Sequence, residues 1–294
     1  MSTAESTAAL QTFSMAVSDL VARTAPGIVA IRSHRSRTSG FVWRPGLIVT
    51  AEESLVDEGE ISVTLPNGES LPASLAGRDP STDIALLRVD RSDLHPARLD
   101  PVVAAAGALA IVIASQDGSP TVALGVVAFA GGPWRSLRGG EIASRIELSA
   151  SMRRSSEGGL ALDATGRAFG MAVFGPRRRV LVIPSATIDR VAAKLEAHGR
   201  IPRGYLGLAL QPVSVEDSAT GAMVMSVQPG GPGAAADIRQ GDVIVAWDGE
   251  PISSVHALLR SLGPDSVGKI VSVGLKRAGE PFDVKLRIGE RPAS

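Results

Sequence analysis

The sequence predicts a mostly β chain of two consecutive β-barrels, closed by a helix and followed by a smaller α/β domain. Short apolar segments separated by turn residues recur from Ala25 onwards, a pattern typical of all-β barrels. A second run of the same style begins at Ala110, and a linker containing Gly and Pro then precedes a block of mixed strand and helix patterns. These features predict an N-terminal helical arm at 1–24, a double-barrel domain at 25–198, a linker at 199–204 and a last domain at 205–294.

Composition limits the classes of function. The 294 residues are 44% hydrophobic, which is enough to form a substantial core. Thirty Lys and Arg residues balance thirty Asp and Glu residues, so no basic excess indicates nucleic acid as a partner. The chain has 0 Cys, which excludes disulfides, thiolate metal ligands and a cysteine nucleophile. We expect no cofactor and no resident metal.

The N-terminal arm starts polar and becomes amphipathic. Leu10, Phe13, Met15-Ala16 and Leu20-Val21 recur at spacings near three to four, which predicts a short helix over about residues 8–23. Packing on its own domain is the favoured interpretation, and a role in assembly is the alternative.

The start of the chain bears on location. It lacks a basic segment followed by an apolar one, and no run approaches the roughly 18 apolar residues of a spanning helix. We expect a cytoplasmic protein if Met1 is the native start, and a periplasmic or secreted one if a signal segment was trimmed.

The two barrels are predicted from short strands. In the first, Pro66-Asn67-Gly68-Glu69 is typical of a hairpin turn, and the apolar segments are 27–32, 38–43, 46–50, 61–65, 71–75 and 84–89. In the second, the segments are 110–114, 120–128, 142–148, 160–162, 168–174 and 179–183.

A helix is predicted to close the second barrel. Ser185 is a plausible N-cap, the helix runs to about His198, and Gly199 lies beyond its end. The last domain has a Gly-rich turn at 229–236, a helical stretch over 253–262, and strands near 205–208, 223–227, 241–250, 270–275 and 282–288.

Several segments together carry a family resemblance. They are Ser81-Thr82-Asp83-Ile84-Ala85-Leu86-Leu87, Glu157-Gly158-Gly159, Pro184-Ser185, Arg203-Gly204-Tyr205-Leu206-Gly207 and Gly241-Asp242-Val243-Ile244. Residues 25–290 resemble the HtrA/Deg family, in which a trypsin-like protease domain precedes a PDZ domain. The resemblance implies a trypsin-like double six-stranded β-barrel, an α/β PDZ domain, and commonly a trimer.

The resemblance also implies where a catalytic triad would lie, and two of its three positions are altered. Asp83 matches the acid that orients the base. Glu53 aligns with the histidine, although a slip of one residue would offer Ser54 instead. Glu157 occupies the nucleophile position before Gly158-Gly159. Since acyl transfer of this type needs a hydroxyl and an imidazole, the site is predicted to be degenerate.

The loop before Glu157 departs from the family as well. Arg153-Arg154-Ser155 replaces a segment containing Pro and Gly whose backbone amides form the oxyanion hole, and Ser149 replaces a usual Asp. We therefore predict a pseudoprotease. The alternatives are an active endopeptidase with a non-standard site, such as Ser156 with a carboxylate base, and a chaperone-like holdase.

Three carboxylates are predicted to converge at this position. Glu53, Asp83 and Glu157 cannot all remain ionised at short distance without a cation or a raised pKa, so a bound divalent cation or a shared proton is one hypothesis. In the plainer alternative, Glu157 turns to Arg153 or Arg154 and Glu53 faces water.

The PDZ resemblance implies a peptide-binding site. Such domains add an extended peptide as a strand and hold its terminal carboxylate on backbone amides. Leu206, Gly207 and Leu208 would donate those N–H groups. Tyr205, Leu208, Leu258, Leu259 and Leu262 would line the pocket for an apolar last side chain, although Leu259 is equally compatible with a core position. The predicted function is C-terminal peptide binding by a scaffold, adaptor or regulator in protein quality control.

Overall fold

The structure is a computed structural model, and it describes residues 3–34, 36–56, 59–101, 104–136, 138–215 and 220–292. The chain divides into two compact units, 1–201 and 202–294. The predicted fold class is confirmed, since two closed six-stranded barrels precede a smaller sheet domain.

The first unit begins with helix α1 (Thr3–Thr24), which confirms the predicted helix and extends it to Thr3. Leu20 is buried against the core, whereas Leu10 and Met15 are exposed. The first barrel has the strand order β1-β2-β3-β6-β5-β4. Its strands are β1 (Ile28–Ser33), β2 (Ser36–Arg44), β3 (Leu47–Thr50), β4 (Ile61–Thr64), β5 (Ser70–Asp79) and β6 (Ile84–Val89).

The second barrel has the strand order β11-β14-β13-β12-β7-β8. A separate hairpin of two short strands, β9 (Trp134–Arg135) and β10 (Glu141–Ile142), lies outside this barrel. The barrel strands are β7 (Leu109–Gln116), β8 (Ser119–Gly131), β11 (Arg145–Ala150), β12 (Leu160–Leu162), β13 (Ala168–Phe174) and β14 (Val180–Pro184).

One core cluster joins both barrels to helix α2 (Ser185–His198). Phe41 and Leu86 from the first barrel, Ile113 and Leu160 from the second, and Ile188 of α2 are all buried in it. Because this apolar contact fixes one barrel against the other, side chains from the two barrels meet in a defined geometry.

The ends of α2 test two predictions. The predicted C-terminus is confirmed: Gly199 has φ +70° and donates its N–H to Leu195 O at 2.8 Å. The prediction that Ser185 is the N-cap is wrong, since Pro184 takes that position and Ser185 is the first helical residue. The Ser185 hydroxyl instead donates to Asp100 O at 3.0 Å, a tertiary contact that local sequence rules do not include.

The second unit is a sheet with the order β16-β17-β18-β20-β21, and β16 (Leu208–Ser214) is an edge strand. The predicted helix over 253–262 is present but shorter, as α4 (Val255–Arg260), and Ser254 caps it by accepting from Ala257 N. The remaining elements are β15 (Gly204–Tyr205), β17 (Thr220–Val227), α3 (Pro232–Ala235), β18 (Val243–Trp247), β19 (Glu250–Pro251), α4 (Val255–Arg260), β20 (Ile270–Arg277), β21 (Glu280–Arg287) and β22 (Gly289–Glu290).

Within the described ranges, none of the helices combines the length and the apolar character that crossing a bilayer requires.

Candidate functional site

The loop between β11 and β12 holds Glu157 at its apex. A 3-10 turn (Arg154–Ser156) leads into Glu157, and Gly158 follows with φ +83°. The Glu157 carbonyl accepts from Ser39 N at 2.8 Å and from Thr38 Oγ1 at 2.7 Å, both in β2. The backbone of the loop is therefore attached to the opposite barrel.

The Glu157 carboxylate has two hydrogen-bond donors. Its Oε2 accepts from Ser54 Oγ at 2.7 Å, and its Oε1 accepts from Phe174 N at 2.9 Å. Ser54 follows β3 in the first barrel, and Phe174 ends β13 in the second. Glu157 therefore joins the barrels through its side chain, and its recorded partners are these two groups, not Arg153 or Arg154.

Glu53 and Asp83 meet through the backbone. Asp83 Oδ1 accepts from Glu53 N at 2.8 Å, and Asp83 has a left-handed backbone with φ +57°. The Glu53 side chain is exposed, and its carboxylate lies 3.3 Å from Arg138 Nη2. Glu53 thus faces water, as in the plainer alternative, and in addition pairs with a guanidinium.

Burial raises the pKa of Asp83 to about 8, and the nearby charges of Glu157, Glu53 and Glu52 add to this effect. The hydrogen bond from Glu53 N acts in the opposite direction and is insufficient to restore an ordinary value. Asp83 therefore carries a proton at neutral pH, which removes one of three converging negative charges.

The protonation of Asp83 predicts a dependence of stability on pH. The unfolded chain releases this proton near pH 4, as free Asp does. The folded protein keeps it up to about pH 8. The folded state binds more protons in this window, so the free energy of unfolding should fall as pH rises through it. Asp83→Asn should weaken this fall, because Asn is neutral at every pH and still offers Oδ1 to Glu53 N.

Urea unfolding at about pH 5 and pH 8 measures the effect. A tenfold difference in proton affinity between the folded and unfolded states corresponds to about 1.4 kcal/mol in the free energy of unfolding. The wild type should lose several kcal/mol more than Asp83→Asn over this range. The other ionisable groups are the same in both proteins, so their contribution cancels in the comparison. Equal losses in the two proteins would show that Asp83 is ionised in the folded state.

The hydroxyls of the two apex serines, Ser155 and Ser156, have partners other than the carboxylates. Ser156 is buried, and its Oγ lies 3.1 Å from Thr121 Oγ1. Ser155 Oγ is 3.4 Å from Gln116 Oε1. The Ser54 hydroxyl does contact a carboxylate, that of Glu157, and among the described residues that line the cleft around Glu157 none is a histidine.

The backbone amides of the apex are also occupied. Ser156 N donates to Arg153 O at 3.0 Å, Glu157 N to Arg154 O at 3.2 Å, and Gly158 N to Ala172 O at 2.8 Å. An oxyanion hole requires N–H groups aimed at the reacting oxygen. The 3-10 turn directs these N–H groups to the loop and to β13 instead.

Among the described residues, no group of three or more His, Asp or Glu side chains is arranged to hold a metal ion. The charges of the three converging carboxylates are balanced in other ways: by hydrogen bonds at Glu157, by Arg138 at Glu53 and by a proton on Asp83. A raised pKa, one of the conditions under which such carboxylates can lie close together, is therefore present at Asp83.

In the second unit, the loop before edge strand β16 is a candidate carboxylate site. Leu206 O accepts from Gly233 N at 2.7 Å, and Gly207 O accepts from Gln228 N at 2.8 Å. Both carbonyls are thus turned inward. Within the part of the chain that is described, the N–H groups of Leu206 and Gly207 have no acceptor.

The five predicted pocket residues lie in different environments. Leu258 and Leu262 are buried in the domain core, and Leu208 packs partly against it. Leu259 is 49% exposed, so it is not a core residue. Tyr205 is partly buried, and its hydroxyl bonds to Gln228 Oε1.

Two contacts of the site were missed by sequence reasoning. The bond from Phe174 N to Glu157 involves a backbone group, which no residue pattern marks. Arg138, beside Glu53, lies in an irregular segment without a motif. Of the residues named here as contacting Glu157 or Glu53, only Ser54 was marked by the sequence, because it is next to the position expected for the base.

Comparison with known proteins agrees with this architecture. The profile of the trypsin-like peptidase domain matches residues 38–171, and that of the PDZ domain matches residues 204–288. A probable periplasmic serine endoprotease, DegP-like, from Bartonella henselae is 32% identical over 282 residues. The chain belongs to the HtrA family. A homologue of the same description from Rhizobium meliloti is 29% identical over 276 residues.

The alignments cover 89% and 88% of this chain but 55% and 54% of those two proteins, so the chain spans about half the length of these HtrA relatives. Among solved structures, the serine endoprotease from Yersinia pestis is 26% identical with a TM-score of 0.71, covering 93% of this chain and 97% of that one. The HtrA-type protease AlgW with decapeptide is 21% identical with a TM-score of 0.71, covering 94% and 99%, and shows the same fold.

Proposed function

We propose that this chain is an HtrA-family pseudoprotease that binds protein C-termini through its PDZ domain, as a scaffold, adaptor or regulator in protein quality control. One observation carries the first part of the proposal. At the nucleophile position Glu157 is held by Ser54 and Phe174 N, so a carboxylate in a structural contact stands where a reactive hydroxyl is needed.

The second part is supported by the edge of the PDZ sheet. Strand β16 has a free edge on which an extended peptide adds as a further strand. The N–H groups of Leu206 and Gly207, left without acceptors in the described chain, are available to hold the terminal carboxylate of that peptide. The exposed side chain of Leu259 on α4 offers apolar surface for the last residue.

The binding proposal is tested on the full chain with two fluorescent peptides that end in Val, one as a free carboxylate and one as an amide. The carboxylate form should bind at least about tenfold more tightly, because charge-assisted hydrogen bonds to the two amides are lost with the amide form. Leu259→Glu should weaken binding of the carboxylate form by a similar factor, since it places charge beside the apolar residue.

Ile270→Glu is the matched control. Ile270 lies in the same domain, on β20, and is 58% exposed, so the substitution changes charge and apolar surface in the same way away from α4. Its affinity should equal that of the wild type. Equal affinity for the two peptide forms, or equal losses in both variants, would contradict the proposed site.

A further inference from the structure

The cleft around Glu157 is a cavity of about 860 Å³ whose wall combines apolar side chains with an unusual number of arginines. We define the central cleft by these lining residues. Its charged members are Glu53, Asp83, Arg138, Arg145, Glu147, Arg154, Glu157, Arg177, Arg178 and Arg179. Its larger apolar members are Trp134, Ile142, Val173, Phe174, Leu181 and Ile183.

The carboxylates of the central cleft are already engaged. Glu147 pairs with Arg145 at 2.6 Å and with Arg179 at 3.3 Å. Glu53 pairs with Arg138, and Glu157 accepts two hydrogen bonds. Because Asp83 keeps its proton, with a pKa of about 8, it neutralises none of the arginines at neutral pH.

Three arginines of the described central cleft are not paired with a carboxylate. In the described part of the chain, Arg154, Arg177 and Arg178 have no carboxylate within ion-pair distance. The Arg178 guanidinium lies over the ring of Phe174, 4.8 Å from its centroid. Such stacking holds the guanidinium in place while its N–H groups at the edge stay available to a ligand. The cleft therefore has a positive surplus, although the whole chain has a formal net charge of +0.

The backbone that presents two of these arginines is strained. Arg177 and Arg178 both have φ +58°, in the left-handed region that favours glycine. Each such residue costs of order 1 kcal/mol, and strain of this kind tends to persist where side chains have a function. Glycine at either position would relieve the strain, so the stability of the fold does not explain the arginines.

We propose that the central cleft binds an extended acidic polypeptide segment, with carboxylate side chains on Arg154, Arg177 and Arg178 and neighbouring apolar side chains against the wall around Phe174. The relatives that this chain matches are named as endoproteases, which favours polypeptide as the class of ligand, and the surplus of arginine favours acidic residues. All the residues that line this site belong to the first unit, and the site takes internal segments without a free C-terminus.

The test uses fluorescence anisotropy of the full chain with two C-terminally amidated peptides, one alternating Glu and Leu and one alternating Gln and Leu. Amidation removes the carboxylate that the PDZ domain would hold. The Glu peptide should bind at least about tenfold more tightly, since a charge-assisted hydrogen bond contributes enough for roughly that factor. The difference should shrink at about 1 M salt, where charges are screened beyond roughly 3 Å.

Two pairs of substitutions separate the cleft from general charge. Arg177→Gln with Arg178→Gln should weaken binding of the Glu peptide about tenfold. Arg23→Gln with Arg88→Gln is the matched control, because both arginines are exposed outside the cleft and the change in net charge is the same. That control should bind as the wild type does.

A third pair tests the strain. Arg177→Gly with Arg178→Gly should lose the same affinity while the urea midpoint stays equal or rises, a combination that a structural role for the arginines would not give. Equal affinity for the two peptides, or equal losses in the Gln pair and its control, would overturn the proposal. A short oligothymidylate that displaces the Glu peptide at lower concentration would also overturn it, in favour of a nucleic-acid ligand.

Discussion

Glu157→Ser is expected to leave the protein unlabelled by a fluorophosphonate probe and unable to hydrolyse casein at a detectable rate. The substitution supplies a hydroxyl, but no histidine is among the described residues that line the cleft. Glu53, which the family resemblance aligns with the base, pairs with Arg138. The nearby amides of Ser156 and Glu157 remain bonded within their own 3-10 turn, so an oxyanion would find no donors. Loss of a single member of a triad typically costs on the order of 10⁴–10⁶ in turnover.

In-gel fluorescence and release of labelled casein fragments measure this prediction, with an active DegP-like protease as the positive control. Wild type and Glu157→Ser should both remain at background. Hydrolysis by the purified wild type would contradict the proposed inactivity. Ser54→Ala and Ser156→Ala would then identify the nucleophile, because Ser54 is the hydroxyl in contact with a carboxylate and Ser156 is the one named by the sequence-based alternative.

The barrels could be predicted from sequence because their information is local. Strand β3 is a short, fully buried apolar run, and Pro66-Asn67-Gly68-Glu69 marks the hairpin turn after β4. The C-terminus of α2 at Gly199 could also be predicted from adjacent residues. The N-terminus of α2 could not be predicted in this way, since the hydroxyl of Ser185 bonds to Asp100, a partner 85 positions earlier in the chain.

The candidate site was predictable in position and not in chemistry. Motifs placed Glu53, Asp83 and Glu157 together, and the structure brings them into one cleft. How the charges are accommodated depends on tertiary contacts: Ser54 is 103 residues from Glu157, and Phe174 contributes only its backbone. The proton on Asp83 follows from burial, which no spacing of residues reveals.

Gly158, next to Glu157, is the position at which the site and the fold depend most closely on each other. Its φ of +83° lies in the left-handed region. A Cβ built on Gly158 would lie 2.1 Å from Ser39 O and 3.0 Å from Thr50 Oγ1. Ser39 is fully buried, and its carbonyl oxygen accepts from Thr50 Oγ1 at 2.7 Å. The backbone oxygen that an added Cβ would contact is therefore held in place and cannot move aside.

Gly158→Ala is therefore expected to lower the free energy of unfolding by roughly 3–5 kcal/mol, combining overpacking with left-handed strain. Gly68→Ala is the matched control, because Gly68 has nearly the same φ, +85°, and nothing within 4 Å of an added Cβ. The control should lose only the strain, about 1 kcal/mol. Urea unfolding of both variants measures the difference. Equal losses would show that the glycine after Glu157 is needed only for its backbone conformation, and that the close approach of the loop to Ser39 adds nothing to the stability of the site.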